Sequence, residues 1–446
     1  MKLNLITGAG AVLLVTLPLQ SAEVTNRIAL SGEYFNELSE IMRTNHPALQ
    51  AAAGRVRAAG HEVNAVRTWA DPELMLGGQF ADEEMRADEG DITYGIRQPL
   101  PLFGKATAMR SAAGAAAAVA GAEADLRFQF LRRDLAAAAF RTALSERIVS
   151  AGAEDVAWLE ALAATARARY TSGGGTQIDV LRVENDLARR REELTTNHRM
   201  LEHERFGLNR FLNRPFETPW PSLELPTLAP PIHYNRQVVA LATRFEPKVQ
   251  VYRKQIEAAQ AGTEVARRNY QPEVSVGVEA RNYSGNGDFR QGMLTIGVSL
   301  PWLNRSKYSS DVARAESLRE AVERELTDRE LATGQEVHDL VVRIDAARRR
   351  ALLNRDEIIP RTHAMLDSAY AAWVAGAGMT RDLLEVRRML VEAHLEYSRA
   401  VAAQYEAMAE LILCCGLGDL ESLEMIGAKP DAAVLHHESS STEPKP

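Results

Sequence analysis

The spacing of apolar residues along this chain switches from helical to alternating and back, and it does so twice. The first helical stretch covers roughly 31–68 and closes before Pro72, since proline cannot continue a helix and biases the residue before it. Beyond it Leu74, Leu76, Gly78 and Phe80 alternate with Glu73, Met75, Gly77 and Gln79. Ile92, Tyr94 and Ile96 alternate in the same way with Thr93, Gly95 and Arg97. The second helical stretch, roughly 235–268, closes before Pro272. Val274, Val276, Val278 and Ala280 then alternate with polar residues or glycine, and so do Leu294, Ile296, Val298 and Leu300. A period of two with one apolar side predicts strands over 73–81, 91–99, 273–283 and 291–300. Polar loops over 81–90 and 284–288 join them in pairs.

After Pro101 and Pro301 the helical period returns. No proline interrupts Lys105 to Tyr170, and Leu126, Phe130, Leu131, Leu135, Phe140, Leu144 and Ile148 form a helical stripe. At about 1.5 Å per residue that span is roughly 100 Å long. The stretch from Ser306 to Ile359 behaves alike. Helices this long need helical partners. Each meets a glycine break, Ser172-Gly173-Gly174-Gly175 or Ala375-Gly376-Ala377-Gly378, and a second helix returns over 176–212 or 380–413. The predicted helical hairpins are thus 104–212 and 305–413. The first glycine triplet lacks the Gly-x-x-x-x-Gly-Lys-Ser/Thr pattern and a preceding strand, so it is not a phosphate loop.

The repetition extends to wording. His46-Pro47, Asp71-Pro72 and Leu100-Pro101 return as Glu246-Pro247, Gln271-Pro272 and Leu300-Pro301, each 200 positions later. Tyr170-Thr171-Ser172-Gly173 with Asp179-Val180-Leu181 returns 203 positions later as Trp373-Val374-Ala375-Gly376 with Asp382-Leu383-Leu384. The chain is a duplicated unit, with repeats over 23–214 and 235–420. A proline-rich connector, 215–234, joins them, and a polar tail, 421–446, expected to be disordered, follows.

Composition narrows the class. The 446 residues carry 25% charged and only 6% aromatic side chains and a formal charge of −8, with no long basic face, which argues against a nucleic-acid partner. Lys2 followed by the apolar Ala9–Leu19 reads as an export signal over 1–22, with cleavage after Ala22; its removal takes away one positive charge, leaving −9. Cys414 and Cys415, the only cysteines, are adjacent and read as small apolar residues late in a helix. His436-His437 read as part of the solvated tail, and no residue pattern marks a metal or cofactor site. No other stretch has about 18 consecutive apolar residues, so a membrane crossing must use strands. Strands of about nine residues suit a tilted crossing, but four leave open edges that lipid cannot satisfy. Three copies sharing one barrel give twelve strands, so closure predicts a homotrimer.

In this order, and twice over, the landmarks resemble the TolC-like family of outer-membrane factors. The resemblance covers nearly all of the chain beyond the export signal. It is carried by the duplication, by His46-Pro47, by the strand-to-helix passages Gln98-Pro99-Leu100-Pro101-Leu102-Phe103-Gly104-Lys105 and Ser299-Leu300-Pro301-Trp302, and by the two glycine turns. It implies a mainly α fold with a transmembrane β part. Three copies would share a twelve-stranded outer-membrane β-barrel, continued by a twelve-helix periplasmic coiled-coil α-barrel. It also implies a passive exit duct with no cofactor, whose partners are outer-membrane lipid, a periplasmic adaptor and an inner-membrane resistance-nodulation-division pump. The Gln98–Lys105 wording is most similar to the heavy-metal (CzcC-like) branch; ducts for drugs or for type I secretion are the alternatives.

The same resemblance assigns a periplasmic gate to Asp382 and Glu385. They lie three residues apart on one helical face, so three copies place six carboxylates about one axis. A cap or dipole partner at the start of the return helix is the competing reading of Asp382. In the first repeat Asp179 is followed by Arg182, a face of mixed sign. Where the family often has a basic latch residue this chain has Gly378, with Arg381 the nearest base, so a latch does not carry over. Adaptor contact falls on Gly173, Gly174, Gly175 and Thr176, and on Gly376, Gly378, Met379 and Thr380. No Gly-x-Ser-x-Gly, His-Glu-x-x-His or paired-cysteine element supports an enzyme. A secreted coiled-coil scaffold would explain the helices but not the four alternating strands.

Overall fold

The computed structural model describes residues 27–66, 68–78, 91–283, 287–418 and 422–423. The expected export signal, strand residues 79–81, the loops over 81–90 and 284–286, and the tail from residue 424 on, with His436-His437, lie outside the described residues. The start of the expected tail is not free: Leu423 is fully buried in the main core, because its apolar side chain finds a packing site there. In chain order the elements are β1 (Arg27–Ala29), α1 (Gly32–Asn45), α2 (Pro47–Ala65), β2 (Glu73–Gly78), β3 (Asp91–Leu100) and α3 (Lys105–Thr171). Next come α4 (Gln177–Phe211), β4 (Ser222–Glu224), α5 (Arg236–Phe245), α6 (Pro247–Arg268), β5 (Val274–Tyr283) and β6 (Phe289–Val298). The chain continues with α7 (Arg305–Leu353), α8 (Ile359–Val374) and α9 (Thr380–Cys415). The fold is mainly α with one antiparallel sheet of order β2-β3-β5-β6, and each repeat supplies one strand hairpin.

Several element bounds differ from the periodicity. Each opening helical stretch is two helices, not one, because Pro47 and Pro247 force the residue before them into extended backbone. At the first break the His46 Nδ1 accepts the Ala48 N–H at 3.1 Å and caps α2. At the second, Glu246 is buried and accepts from Arg329 Nε at 3.0 Å and from the Thr333 hydroxyl at 2.6 Å, which ties α6 to α7. Arg329 also reaches Glu336 at 2.8 Å; despite burial, these carboxylates hold its guanidinium above its ordinary pKa. The long helix of the second repeat does not end at Ile359. A π-helical turn at Asn354–Ile358 widens the coil ahead of Pro360, and α8 carries the path to Val374. Strand β6 runs Phe289–Val298: it starts two residues early because Phe289 still pairs with Asn282, and it ends two residues early ahead of the 3-10 turn at Pro301–Asn304.

The connector also carries structure that its prolines concealed. Strand β4 pairs in parallel with β1, Ile28 opposite Leu223. Trp220, Leu223, Ala229 and Ile232 join a core with Phe35, Met42, Phe140, Leu208, Ile344 and Met408. Buried Gln404 on α9 serves the connector backbone as a strand would, donating to the Ala229 carbonyl and accepting its N–H, both at 3.2 Å. Three-residue strands are too short to leave a period in the sequence.

Helix α3, 67 residues long, runs through the whole helical body. Toward the sheet the helices pack in the order α2, α3, α6, α7; toward the glycine turns the order is α4, α3, α9, then α7 with α8. A second core fills the lower layer, with Leu159, Leu162, Val183, Leu187, Leu366, Trp373, Leu383 and Leu390.

Burial, with Arg127 and Arg210 nearby, lowers the His46 pKa below the ordinary 6.5. The folded chain therefore favours neutral His46, which it needs as an acceptor. Its contribution to stability is fully present above pH 6.5 and is lost as pH falls from there through the depressed folded value. We expect the thermal midpoint in detergent to fall across that window, and His46→Asn, which keeps a capping acceptor, to flatten the pH dependence.

Candidate functional site: the open sheet and the helical tips

Pairing places one apolar row straight across the sheet: Leu74 opposite Ile96, Ile96 opposite Val278, and Val278 opposite Leu294. All four side chains are more than half exposed, as are Leu76 and Ile296. The adjacent row, Glu73, Arg97, Gly277 and Thr295, belongs to the other face, which is polar or glycine along most of its length. That face is tightly notched. A Cβ on Gly77 or Gly277 would stand 2.6 Å from the hydroxyl of Thr93 or Thr295, so side chains lie over bare backbone. Strands β2 and β6 have no partner on their outer sides among the described residues.

At the opposite end the two glycine turns share one geometry. Gly173 and Gly376 both have φ of +79°, a left-handed conformation that glycine adopts without strain. The Gly173 N–H bonds the Tyr170 carbonyl at 3.1 Å and the Gly174 N–H bonds Arg169 at 2.9 Å; Gly376 to Trp373 and Ala377 to Ala372 repeat those lengths. Both helices thus end in the same Schellman motif. A Cβ on Gly378 would meet the Trp373 backbone nitrogen at 2.9 Å, so this turn requires glycine and has no room for a basic latch residue there.

The return helices start differently. Thr176 caps α4 by accepting the Asp179 N–H at 3.3 Å, and its hydroxyl donates to the Asp179 carboxylate at 2.6 Å. Met379 holds the corresponding place on α9, exposed and without a side-chain cap. Thr380 is buried: its hydroxyl accepts from Trp373 Nε1 at 2.9 Å and also bonds Asp179. Desolvation raises the Asp179 pKa, but hydrogen bonds from Thr176 and Thr380, with Arg182 nearby, outweigh it and hold the carboxyl below its ordinary value.

Asp382 and Glu385 are exposed on successive turns of α9, and neither has a hydrogen bond or ion pair among the described residues. Asp382 lies in the first turn but does not cap it. The equivalent carboxylates therefore have opposite surroundings, Asp179 engaged and Asp382 free.

A clamp that the sequence did not reveal joins the two hairpins. The Arg169 guanidinium stacks over the Trp373 ring at 4.6 Å, donates to the Trp373 carbonyl, and reaches the Gly174 carbonyl at 3.3 Å. Higher up, buried Asp155 of α3 accepts from Arg387 at 2.8 Å and pairs with Arg190 at 3.3 Å, while Arg388 meets both oxygens of Asp186 at 2.5 Å. Apart from Trp373, which answers to Tyr170, these residues have no like partner 203 positions away, so the repeat pattern carries no sign of the contacts.

Cys414 and Cys415 are both buried, and burial pushes the Cys415 thiol up to about 12, which leaves it unreactive. Among the described residues no helix is long and apolar enough to cross a membrane, and no His, Cys, Asp or Glu group is placed to hold a metal.

The family model described as outer membrane efflux protein matches residues 38–214 and 239–417, one segment in each repeat. Several solved structures have the same fold. CusC is 15% identical over 86% of this chain and 92% of its own, with a TM-score of 0.74. VceC of Vibrio cholerae, at 16%, pairs 86% of this chain with 96% of its own at 0.71. The MtrE outer membrane channel of Neisseria gonorrhoeae, in its open state, is 16% identical over 87% and 90%, also at 0.71. No curated protein matches significantly.

Removing the clamp should loosen the tips. Arg169→Ala is expected to cost about 1–2 kcal/mol through the lost stacking and carbonyl bonds. It should speed hydrogen exchange at the Gly173–Gly174 and Gly376–Gly378 amides. Arg167→Ala, which removes an exposed pair with Glu184, should leave those rates unchanged.

Proposed function

Because the chain belongs to the outer membrane efflux protein family, we propose that it is the exit duct of a tripartite efflux system. In this reading three copies form a closed passage from the periplasm to the outside. The sheet is the observation that carries the reading. It exposes an apolar face, backs it with a polar one, and ends in two edges unpaired among the described residues. In lipid those edges must be satisfied. Strands β2 and β6 run antiparallel to each other, since three antiparallel steps separate them. The β6 edge of one copy can therefore pair antiparallel with the β2 edge of the next, and each copy is equivalent.

The helices support the same closure. The edges of the upper layer are α2 and α7, and those of the lower layer are α4 and α7 with α8. At every level one side of the copy ends in first-repeat elements and the other in second-repeat elements. Such a head-to-tail interface closes into a ring when the rotation allows it. Three copies of four strands and four helices give twelve of each.

In this duct Asp382 and Glu385 face the axis as the periplasmic gate, where six free carboxylates attract cations and repel one another. The two glycine turns, Gly173 to Thr176 and Gly376 to Met379, meet a periplasmic adaptor, while Thr380, expected at that contact, is buried beneath the turn and holds it from inside; an inner-membrane resistance-nodulation-division pump supplies the energy. The cargo we assign is heavy-metal cations, on the Gln98–Lys105 wording. Selection of that cargo falls to the pump and adaptor. Deleting the gene should sensitise its host to heavy-metal cations; sensitisation to drugs alone would replace the cargo reading with the multidrug one.

Two further outcomes follow from the geometry. Asp382→Ala with Glu385→Ala should raise single-channel conductance several-fold in planar bilayers and weaken cation selectivity; unchanged values would remove the gate assignment. Ile296→Arg, on the apolar face, should destabilise the bilayer-inserted protein by about 2–4 kcal/mol in urea titrations, whereas Gln291→Arg on the polar face should not.

A further inference from the structure

The two edges of a copy differ in shape and charge where the sheet passes into the helices. On the second-repeat edge, β6 ends in the turn Pro301–Asn304, which holds Trp302 50% exposed and Leu303 74% exposed. Arg305 and Lys307 follow in the first turn of α7, exposed and without an ion-pair partner among the described residues. This edge is an apolar knob followed by two cations without acidic partners among the described residues, Lys307 lying 5.2 Å from the centre of the Tyr308 ring.

On the first-repeat edge, the end of α2 and the segment leading to β2 border a groove of about 610 Å³. Trp69, Leu102 and Met109 give it apolar walls; of its charged lining residues Lys105 pairs with Glu273 and Arg268 with Glu264, which leaves Glu62 and Asp71. Both acids are exposed, and neither has an ion-pair partner among the described residues. The groove and the knob are level. Val274, in the groove wall, pairs with Leu100 on one side and with Val298, at the end of β6, on the other.

We propose that the Trp302–Leu303 knob of one copy seats in this groove of the next, with Arg305 and Lys307 paired to Glu62 and Asp71 across the interface. The occupant is a second copy of this chain, as both the opposite placement of the edges and the opposite sign of their free charges require. The contact rests on the ring proposed above and names the surfaces that lock it. An exposed apolar knob beside unpaired cations is otherwise an unsatisfied surface in the free protomer. Burying the knob excludes water from the four charges and gives them partners.

The test uses the full chain reconstituted in bilayers. Arg305→Glu with Lys307→Glu should speed trimer dissociation by about tenfold, in line with losing close charge pairs at an interface. Adding Glu62→Lys and Asp71→Lys should restore the original rate, which a merely structural defect would not allow. Trp69→Cys with Leu303→Cys should give disulfide-linked oligomers on oxidation, and neither variant alone should. A wild-type trimer with no cross-link and no charge rescue would overturn the contact while leaving the ring intact. Quenching of Trp302 fluorescence by brominated lipid, lost in Trp302→Phe, would also overturn it, since the knob would then face lipid. A wild-type chain that stays monomeric in bilayers would remove the ring, and the contact with it.

Discussion

Backbone hydrogen bonding at the edges of the sheet constrains everything else in this molecule. Strands β2 and β6 each present a row of N–H and C=O groups that no other strand among the described residues meets. In water such edges are a liability; in hydrocarbon they are prohibitive. The exposed row Leu74, Ile96, Val278 and Leu294 makes hydrocarbon its natural surroundings. Closure is then required, and the four antiparallel strands allow it between equivalent copies. The helices follow the same constraint, because they continue from the strands through Pro101 and Pro301 and so inherit their order around the axis.

Duplication supplies this architecture, and departures from duplication set apart the residues proposed for the gate. The two glycine turns agree in φ, in hydrogen-bond pattern and in bond length. The residues after them do not agree. Asp179 is held by Thr176 and Thr380, so the first repeat spends its carboxylate on holding the tip together. Among the described residues Asp382 and Glu385 have no such partners and remain available to an ion or to each other. The breaks at His46 and Glu246 differ in the same manner, one a local cap and the other a buried ion pair to a distant helix.

How much was legible in the sequence follows from what each feature depends on. Period and proline are local properties, so the four strands of the sheet, the long helices and the glycine turns could be read directly. Breaks at His46-Pro47 and Glu246-Pro247 were visible as repeated words, yet their effect on the helix was missed, because the apolar spacing runs on across them. Continuation of α7 through Pro360 was hidden because a π-helical turn has no sequence period of its own. Strands β1 and β4 were hidden because three residues carry no pattern. The clamp of Arg169, Trp373, Thr380 and Asp179 depends on contacts between residues about 200 apart, and no spacing rule reaches that far.

The clamp also bears on how such a duct would open. Within one copy α4 and α9 are tied at three levels, by Arg388 with Asp186, by Arg387 and Arg190 with Asp155, and by Thr380 with Asp179. Two hairpins joined in this way have little freedom to separate from each other, so the boundary between copies is the weaker place. Six free carboxylates about the proposed axis add repulsion across that boundary when no cation is bound. A partner docking on the glycine turns opens the tip only by as much as it prefers the open arrangement over the closed one. In the proposed gate the free acids would lower that requirement, and a bound cation would raise it.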